Sequence, residues 1–274
     1  MPRMSATILL CDNGSRRPEA THSLRALAHR LAQACGHAIH PVSLQHADAI
    51  PVEALDGIPA HTLPGFLAAH LAEERRDFLI LPLFFGPSRA ITRFIPQTVE
   101  ALRQTHGEFS LRVAQELCPL PEGEPRLADV LAAHTLAARA GESPDYAILV
   151  DHGSPLPAVT AVRHWLYAQV RSRLSDISWR EAVMERRADA AYDFNGEVLE
   201  HTLTDIAAQR PDARISLTLL FLHPGRHAGP GGDIEGICAA VGKQYPMLDI
   251  AISPLVSAHP LLTDILAHRL QDAR

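Results

Sequence analysis

The strongest constraint on this chain is that it holds the same series of apolar runs and turns twice. Ala147-Ile148-Leu149-Val150-Asp151-His152-Gly153-Ser154 repeats the pattern of Ile8-Leu9-Leu10-Cys11-Asp12-Asn13-Gly14-Ser15. Phe221-Leu222-His223-Pro224-Gly225-Arg226-His227 repeats Phe84-Phe85-Gly86-Pro87-Ser88-Arg89-Ala90. Ser253-Pro254-Leu255, Pro260, Leu262, Asp264 and Leu266 repeat Cys118-Pro119-Leu120, Pro125, Leu127, Asp129 and Leu131. Three blocks in one order, at a slowly shrinking separation, require two copies of one folding unit. Within each copy the apolar runs are short and end at Gly or Pro. Ile215 to Leu222, interrupted only by Ser216 and Thr218, suits a strand buried on both faces of a parallel sheet. Between such runs lie faces at helical spacing, as in Leu24, Leu27, Ala28 and Leu31. The reading is an α/β chain of two tandem, doubly wound domains with mainly parallel sheets, residues 1–140 and 141–274, joined at Gly141-Glu142-Ser143-Pro144-Asp145.

The first half predicts strands over 6–11, 38–44, 78–85 and 111–117, with helices over 63–74, 95–104 and 127–138. In the second half Pro224-Gly225 stops the strand that begins at Ile215, because proline lacks the ladder donor. Gly229 to Asp233 is read as loop that does not open an apolar helix, which argues against dinucleotide binding. Neither His152-Gly153-Ser154 nor Asn13-Gly14-Ser15 is a GxSxG elbow, so Ser15 and Ser154 are read as helix caps.

Composition narrows the partners. Hydrophobic residues make up 47% of 274, but aromatics only 5%, so the core is built from Leu, Ala, Val and Ile. A net charge of −6 argues against nucleic-acid binding through a basic face, so an anionic ligand needs a local arginine cluster. Cys11, Cys35, Cys118 and Cys238 form no CxxC pair and read as reduced thiols rather than a disulfide framework or zinc knuckle. Met1 to Leu10 is too short an apolar stretch for a signal peptide, and no segment reaches the length of a membrane span. The expectation is a soluble, cytoplasmic protein.

The two copies are unequal. The first has Asn13 where the second has His152, Ala90 where the second has His227, and Gln45 where the second has Glu185. A histidine kept for packing would serve both copies alike, so the difference points to chemistry retained in the second. Both imidazoles fall just past strand ends, where ligands bind in open parallel sheets. Two neutral imidazoles and a carboxylate can hold a divalent first-row metal, and an imidazole can accept a proton near neutral pH. His22, His29, His37, His40 and His46 show no ligand spacing and are read as solvated.

Asp151-His152-Gly153-Ser154, Met184-Glu185-Arg186-Arg187, Pro224-Gly225-Arg226-His227 and His259-Pro260-Leu261-Leu262 resemble the sirohydrochlorin chelatase family. These are the ATP-independent class II chelatases of cobalamin and siroheme synthesis, and the resemblance is to the long, two-domain form. Asn13-Gly14-Ser15-Arg16-Arg17-Pro18-Glu19-Ala20 and Gly86-Pro87-Ser88-Arg89 carry it into the first half. The resemblance implies two chelatase-like domains, the active residues lying in the second. It implies insertion of a divalent metal, Co²⁺ favoured over Fe²⁺, into sirohydrochlorin with release of two protons. No organic cofactor is implied. His152, His227 and Glu185 are the expected metal-handling and catalytic residues. Arg16, Arg89, Arg93 and Arg226 are the expected holders of the substrate's carboxylates. The expected partners are sirohydrochlorin or a related tetrapyrrole and the metal ion, with no nucleic acid or membrane, in a monomer or homodimer. The alternative is a non-catalytic metal or tetrapyrrole carrier on the same scaffold.

Overall fold

The structure, a computed structural model, describes residues 6–274. The first repeat runs β1 (Thr7–Asp12), α1 (Pro18–Cys35), β2 (Ile39–Ser43), α2 (Leu63–Ala72), β3 (Asp77–Pro82), α3 (Ile95–His106), β4 (Ser110–Val113) and α4 (Pro125–Ala137). The second runs β5 (Tyr146–Asp151), α5 (Pro157–Arg173), β6 (Ser178–Val183), α6 (Leu199–Gln209), β7 (Arg214–Leu219), α7 (Asp233–Gln244), β8 (Asp249–Ile252) and α8 (Leu261–Asp272). Each repeat forms one four-stranded sheet, in the orders β2-β1-β3-β4 and β6-β5-β7-β8, with every pairing parallel. Among the described residues no helix is long and apolar enough to cross a membrane.

The central strands explain why the apolar runs are continuous. Ala147, Ile148, Leu149 and Val150 of β5 are fully buried, as are Leu9, Leu10 and Cys11 of β1, because helices cover both faces. In the second sheet Ile148, Val150, Ile215, Leu217 and Leu219 join one core with Leu199, Leu203 and Ile206 of α6 and Ile234 and Val241 of α7. Residues alternating with these point to the other face. Ser216 and Thr218, the two breaks in the β7 run, are both there, and Thr218 Oγ1 lies 2.7 Å from Thr135 Oγ1 of α4. The hydroxyl pair meets the hydrogen-bonding need of two buried polar groups.

That contact shows that the compact units do not coincide with the repeats. One unit comprises residues up to Pro119 together with Thr263–Arg274, the other Leu120–Leu262. Helix α4 follows the first sheet in the chain but packs on β7 and α5 of the second. Helix α8 belongs mainly to the first unit, where Arg269 donates to the carbonyls of Glu116 and Leu117 at 3.0 and 3.2 Å.

Several boundaries differ from the sequence reading. β7 stops at Leu219, not Leu222, because its last paired residue faces Val150 near the end of β5. β3 and β4 are likewise shorter than expected. Gly232 is the residue immediately before α7, so the glycine-rich loop leads straight into a helix whose Ile234 and Val241 are core residues. Ser15 and Ser154 are not N-caps; each accepts from the backbone N–H two residues on, Arg17 and Leu156, and Pro18 and Pro157 then open the helices. His40 is not solvated; it is half-buried against Phe66, and burial lowers its pKa.

The exchange of α4 makes a prediction about fragments. A chain of residues 120–262 is expected to unfold cooperatively on heating, followed by circular dichroism. A chain of 141–262, which bares the Thr218 face of β7, is expected to melt far lower or without a cooperative transition. Equal melting of the two fragments would contradict the assignment of α4 to the second unit.

Candidate active site

In each sheet the chain moves outward in opposite directions from its two central strands, so the loops after β5 and β7 part and leave a crevice at their carboxyl ends. His152 follows β5 and His227 lies in the loop after β7. Their rings meet edge to face, with centroids 4.5 Å apart. Glu185 follows β6, the outer neighbour of β5, and its Oε1 is 3.4 Å from His152 Nε2. The fold thus gathers all three residues singled out from the repeat.

Backbone packing holds them there. Met184 N–H donates to Asp151 O at 2.8 Å and Glu185 N–H to His152 O at 3.2 Å, which ties the end of β6 to the turn after β5. Gly153 has φ +92°, and a Cβ there would lie 2.1 Å from Glu185 O. Only glycine allows both the left-handed backbone and the close approach. Gly14 meets Gln45 O in the same way, with φ +88° and 1.9 Å for the corresponding Cβ. Gln45 is therefore the structural counterpart of Glu185, and the first repeat keeps the turn without the carboxylate.

Each imidazole is oriented through Nδ1. His152 Nδ1 is 3.0 Å from Gly153 O, and His227 Nδ1 is 2.7 Å from Asp233 Oδ2. With Nδ1–H donating to these oxygens, the Nε2 lone pairs are the ones left to bind. Asp233 opens α7 and was not anticipated from sequence; a carboxylate six residues after a candidate ligand was the available signal. His152 Nε2 and Glu185 Oε1 then face each other as two electron-pair donors, an arrangement that a cation or proton between them stabilises.

Beneath His152 lies a buried polar network. Arg163 of α5, 1% exposed, donates from Nη1 to Asp151 Oδ1 at 2.8 Å and from Nη2 to Asn195 O at 2.7 Å. Asn195 Oδ1 accepts from Ser154 N–H and from Thr160 Oγ1, while its Nδ2 donates to Ser154 O and Tyr192 O. Every polar group of the Asn195 amide has a partner, so the turn bearing His152 is fixed from below. Burial outweighs the Arg163 pairing and leaves the Asp151 carboxyl above its ordinary pKa.

A cavity of about 360 Å³ opens beside this turn, lined by His152, Ser154, Glu185, Arg186, Arg187 and Tyr192 among others. Of the arginines expected at a substrate rim, Arg226 stands on the loop after β7 with Nε 3.7 Å from Asp233 Oδ2. Arg16 follows β1, and Arg89 and Arg93 follow β3; all three are exposed in the first unit. The guanidinium groups in the cavity wall are instead Arg186 and Arg187. Among the described residues no group of three or more His, Cys, Asp or Glu side chains is arranged to hold a metal ion as it stands.

The family model for CbiX matches residues 7–135 and again 147–273. The chain belongs to the CbiX family. Its two matched segments correspond to the two sequence repeats. No curated protein matches the chain. Among solved structures it is similar to SirB from Bacillus subtilis with Fe³⁺, at 12% identity and TM-score 0.71, covering 98% of this chain and 96% of that one. It is also similar to the sirohydrochlorin chelatase SirB from Bacillus subtilis subspecies spizizenii in complex with cobalt, at 13% identity and TM-score 0.67, with 98% and 95% covered. A third similar structure is CbiX, described as the terminal enzyme for siroheme biosynthesis in denitrifying bacteria, at 16% identity and TM-score 0.59, with 99% and 100% covered. At these identities the likeness is one of fold, and it extends over both repeats of this CbiX-family chain.

The first repeat lacks this network. Counting from Pro18 and Pro157, which open α1 and α5, Leu24 stands where Arg163 does. Asp12, the counterpart of Asp151, is left 7% exposed, with one oxygen lacking a hydrogen-bond partner. Burial raises its pKa to about 6, against weaker lowering by the Ser43 hydroxyl and the Gly14 N–H. A carboxyl whose folded pKa exceeds its unfolded value contributes stability below the unfolded value of 3.8 and loses it as pH rises through about 6. Asp12→Asn is therefore expected to stabilise the protein by about 2–3 kcal/mol at pH 8. The gain should shrink toward zero at pH 4, as measured by denaturant unfolding. An equal effect at both pH values would contradict a buried, titrating Asp12.

Proposed function

We propose that this protein inserts a divalent metal into sirohydrochlorin and releases two protons, and that the second repeat carries the reaction. The observation that carries the reading is the facing of His152 Nε2 and Glu185 Oε1 at 3.4 Å, with His227 packed edge to face against His152. Membership of the CbiX family, and the sirohydrochlorin chelatase named among the similar structures, supply the substrate class.

The chemistry follows from the donor set. The metal here is substrate, so it needs ligands that strip part of its water and then let go. Two imidazole Nε2 atoms and one carboxylate oxygen are such a set, and they leave further coordination positions for the incoming pyrrole nitrogens. Four metal–nitrogen bonds form, and the two nitrogens that carry N–H must each give up a proton. An imidazole or Glu185, released as the metal moves across, is placed to take it. Asp233 holds the His227 ring in the tautomer that presents Nε2, and the Gly153 carbonyl does the same for His152. Co²⁺ is the favoured metal and Fe²⁺ the alternative, since a His/carboxylate set accepts both and the long, two-domain form resembles the cobalamin-pathway enzymes. Arg16, Arg89, Arg93 and Arg226 remain candidates for gripping the outer carboxylates.

His152→Ala or His227→Ala is expected to abolish metallation while the circular dichroism spectrum stays that of the native fold. Asn13→Ala, in the repeat without imidazoles, should leave most of the rate. The measurement is the absorbance change of sirohydrochlorin on adding Co²⁺ or Fe²⁺ to purified protein. Binding of both ligands by wild type without the metallated spectrum would favour a carrier, and full activity in the His152→Ala, His227→Ala double variant would rule out this centre.

A further inference from the structure

The loop after β6 carries two arginines whose roles diverge. Arg186 Nη1 donates to Asp193 at 2.6 Å, so its charge is matched within the loop. Arg187 lies over the Tyr192 ring, with Cζ 5.2 Å from the centroid, and donates from Nη1 to the Tyr192 hydroxyl at 2.9 Å. Both of these contacts are to a neutral group. They orient the guanidinium without cancelling its charge, since the ring face attracts the cation and the planar fork keeps its other N–H groups for a ligand. Tyr192 is itself anchored, since Asn195 Nδ2 donates to its carbonyl at 3.1 Å and to Ser154 O at 2.9 Å. The fork is thereby fixed relative to the turn that bears His152, and Arg187, Tyr192, His152 and Glu185 line one cavity. The first repeat has His46 and Ala47 after Gln45, so the cation accompanies the imidazoles and is missing where they are missing.

We propose that Arg187, backed by Tyr192, is a carboxylate subsite that grips one ring-substituent carboxylate of the organic substrate and so positions the macrocycle over His152 and His227. The proposal rests on the reading of this site as a sirohydrochlorin-metallating centre and adds the contact that holds the tetrapyrrole. The remaining N–H edge of a guanidinium fork matches a carboxylate in a bidentate pair, which a lysine cannot reproduce.

The test separates tetrapyrrole binding from metal binding. Wild type, Arg187→Gln and Arg187→Lys are titrated with metal-free sirohydrochlorin, followed by absorbance, and separately with Co²⁺ alone by calorimetry. Arg187→Gln is expected to raise the Kd for sirohydrochlorin about 10- to 100-fold, the loss of one charge-assisted contact, with Arg187→Lys between it and wild type. Co²⁺ affinity should not change in either variant, and added salt should weaken wild-type binding more than that of Arg187→Gln. Unaltered sirohydrochlorin binding by Arg187→Gln, in a wild type that binds and metallates, would overturn the subsite and leave the function standing. Equal losses of sirohydrochlorin and Co²⁺ affinity would also overturn it, since Arg187 would then be a prop for the loop. A wild type that neither binds nor metallates sirohydrochlorin would bring down the function and the subsite together.

Discussion

The buried guanidinium of Arg163 is the contact on which the second repeat's site depends. Removing a guanidinium and a carboxylate from water costs several kcal/mol per ion, and their attraction offsets this only where further hydrogen bonds complete the geometry. Here those bonds are made, though burial still holds the Asp151 carboxyl above its ordinary pKa: Asp151 takes one nitrogen at 2.8 Å, the Asn195 carbonyl another at 2.7 Å, and Glu181 approaches Nε at 3.4 Å. Asp151 in turn accepts from Gly153 N–H at 3.0 Å. One cation on α5 therefore fixes the end of β5, the turn carrying His152 and, through Asn195, the segment carrying Tyr192. A flexible turn could not keep two imidazoles and a carboxylate at 3–5 Å; this one is held from beneath by charge.

The first repeat has the same strands, the same strained glycine and the same buried carboxylate, but Leu24 in place of Arg163 and Pro41 in the register position of Glu181. It has neither the cation below nor the imidazoles above. The Arg163 network and the imidazoles thus occur in the same repeat. The carboxyl of Asp12 is pushed up to about 6 by burial with no cation to lower it. What the first repeat retains is its sheet and the N-terminal part of the exchange by which α4 covers β7.

Much of this was legible in the sequence because the deciding signals were local. Apolar runs ending at Gly or Pro marked parallel strands, and the repeat marked two copies of the sheet. The meeting of His152 and His227 was foreshadowed by topology, since the loops after the two central strands part at one crevice, with Glu185 following the neighbouring β6. The illegible parts were long-range. The apolar face of α4 does not say which sheet it covers; its packing on β7 and α5 does, with Thr135 facing Thr218 across 83 positions. Arg163 reads as one more helical arginine until Asp151 and Asn195 close around it. Arg187 reads as a solvated charge until Tyr192 is found under it. Strand ends erred because a continuous apolar run outlasts its ladder: Leu220 to Leu222 continue the pattern of β7 beyond its last pair.

The most direct measurement is the location of the metal. A crystal of the protein soaked in Co²⁺ and measured at the cobalt absorption edge should give an anomalous peak bounded by His152 Nε2, His227 Nε2 and Glu185, and none near Asn13 and Ala90. A peak in the first repeat, or a cobalt ion bound with His152 and His227 both out of contact, would contradict the account.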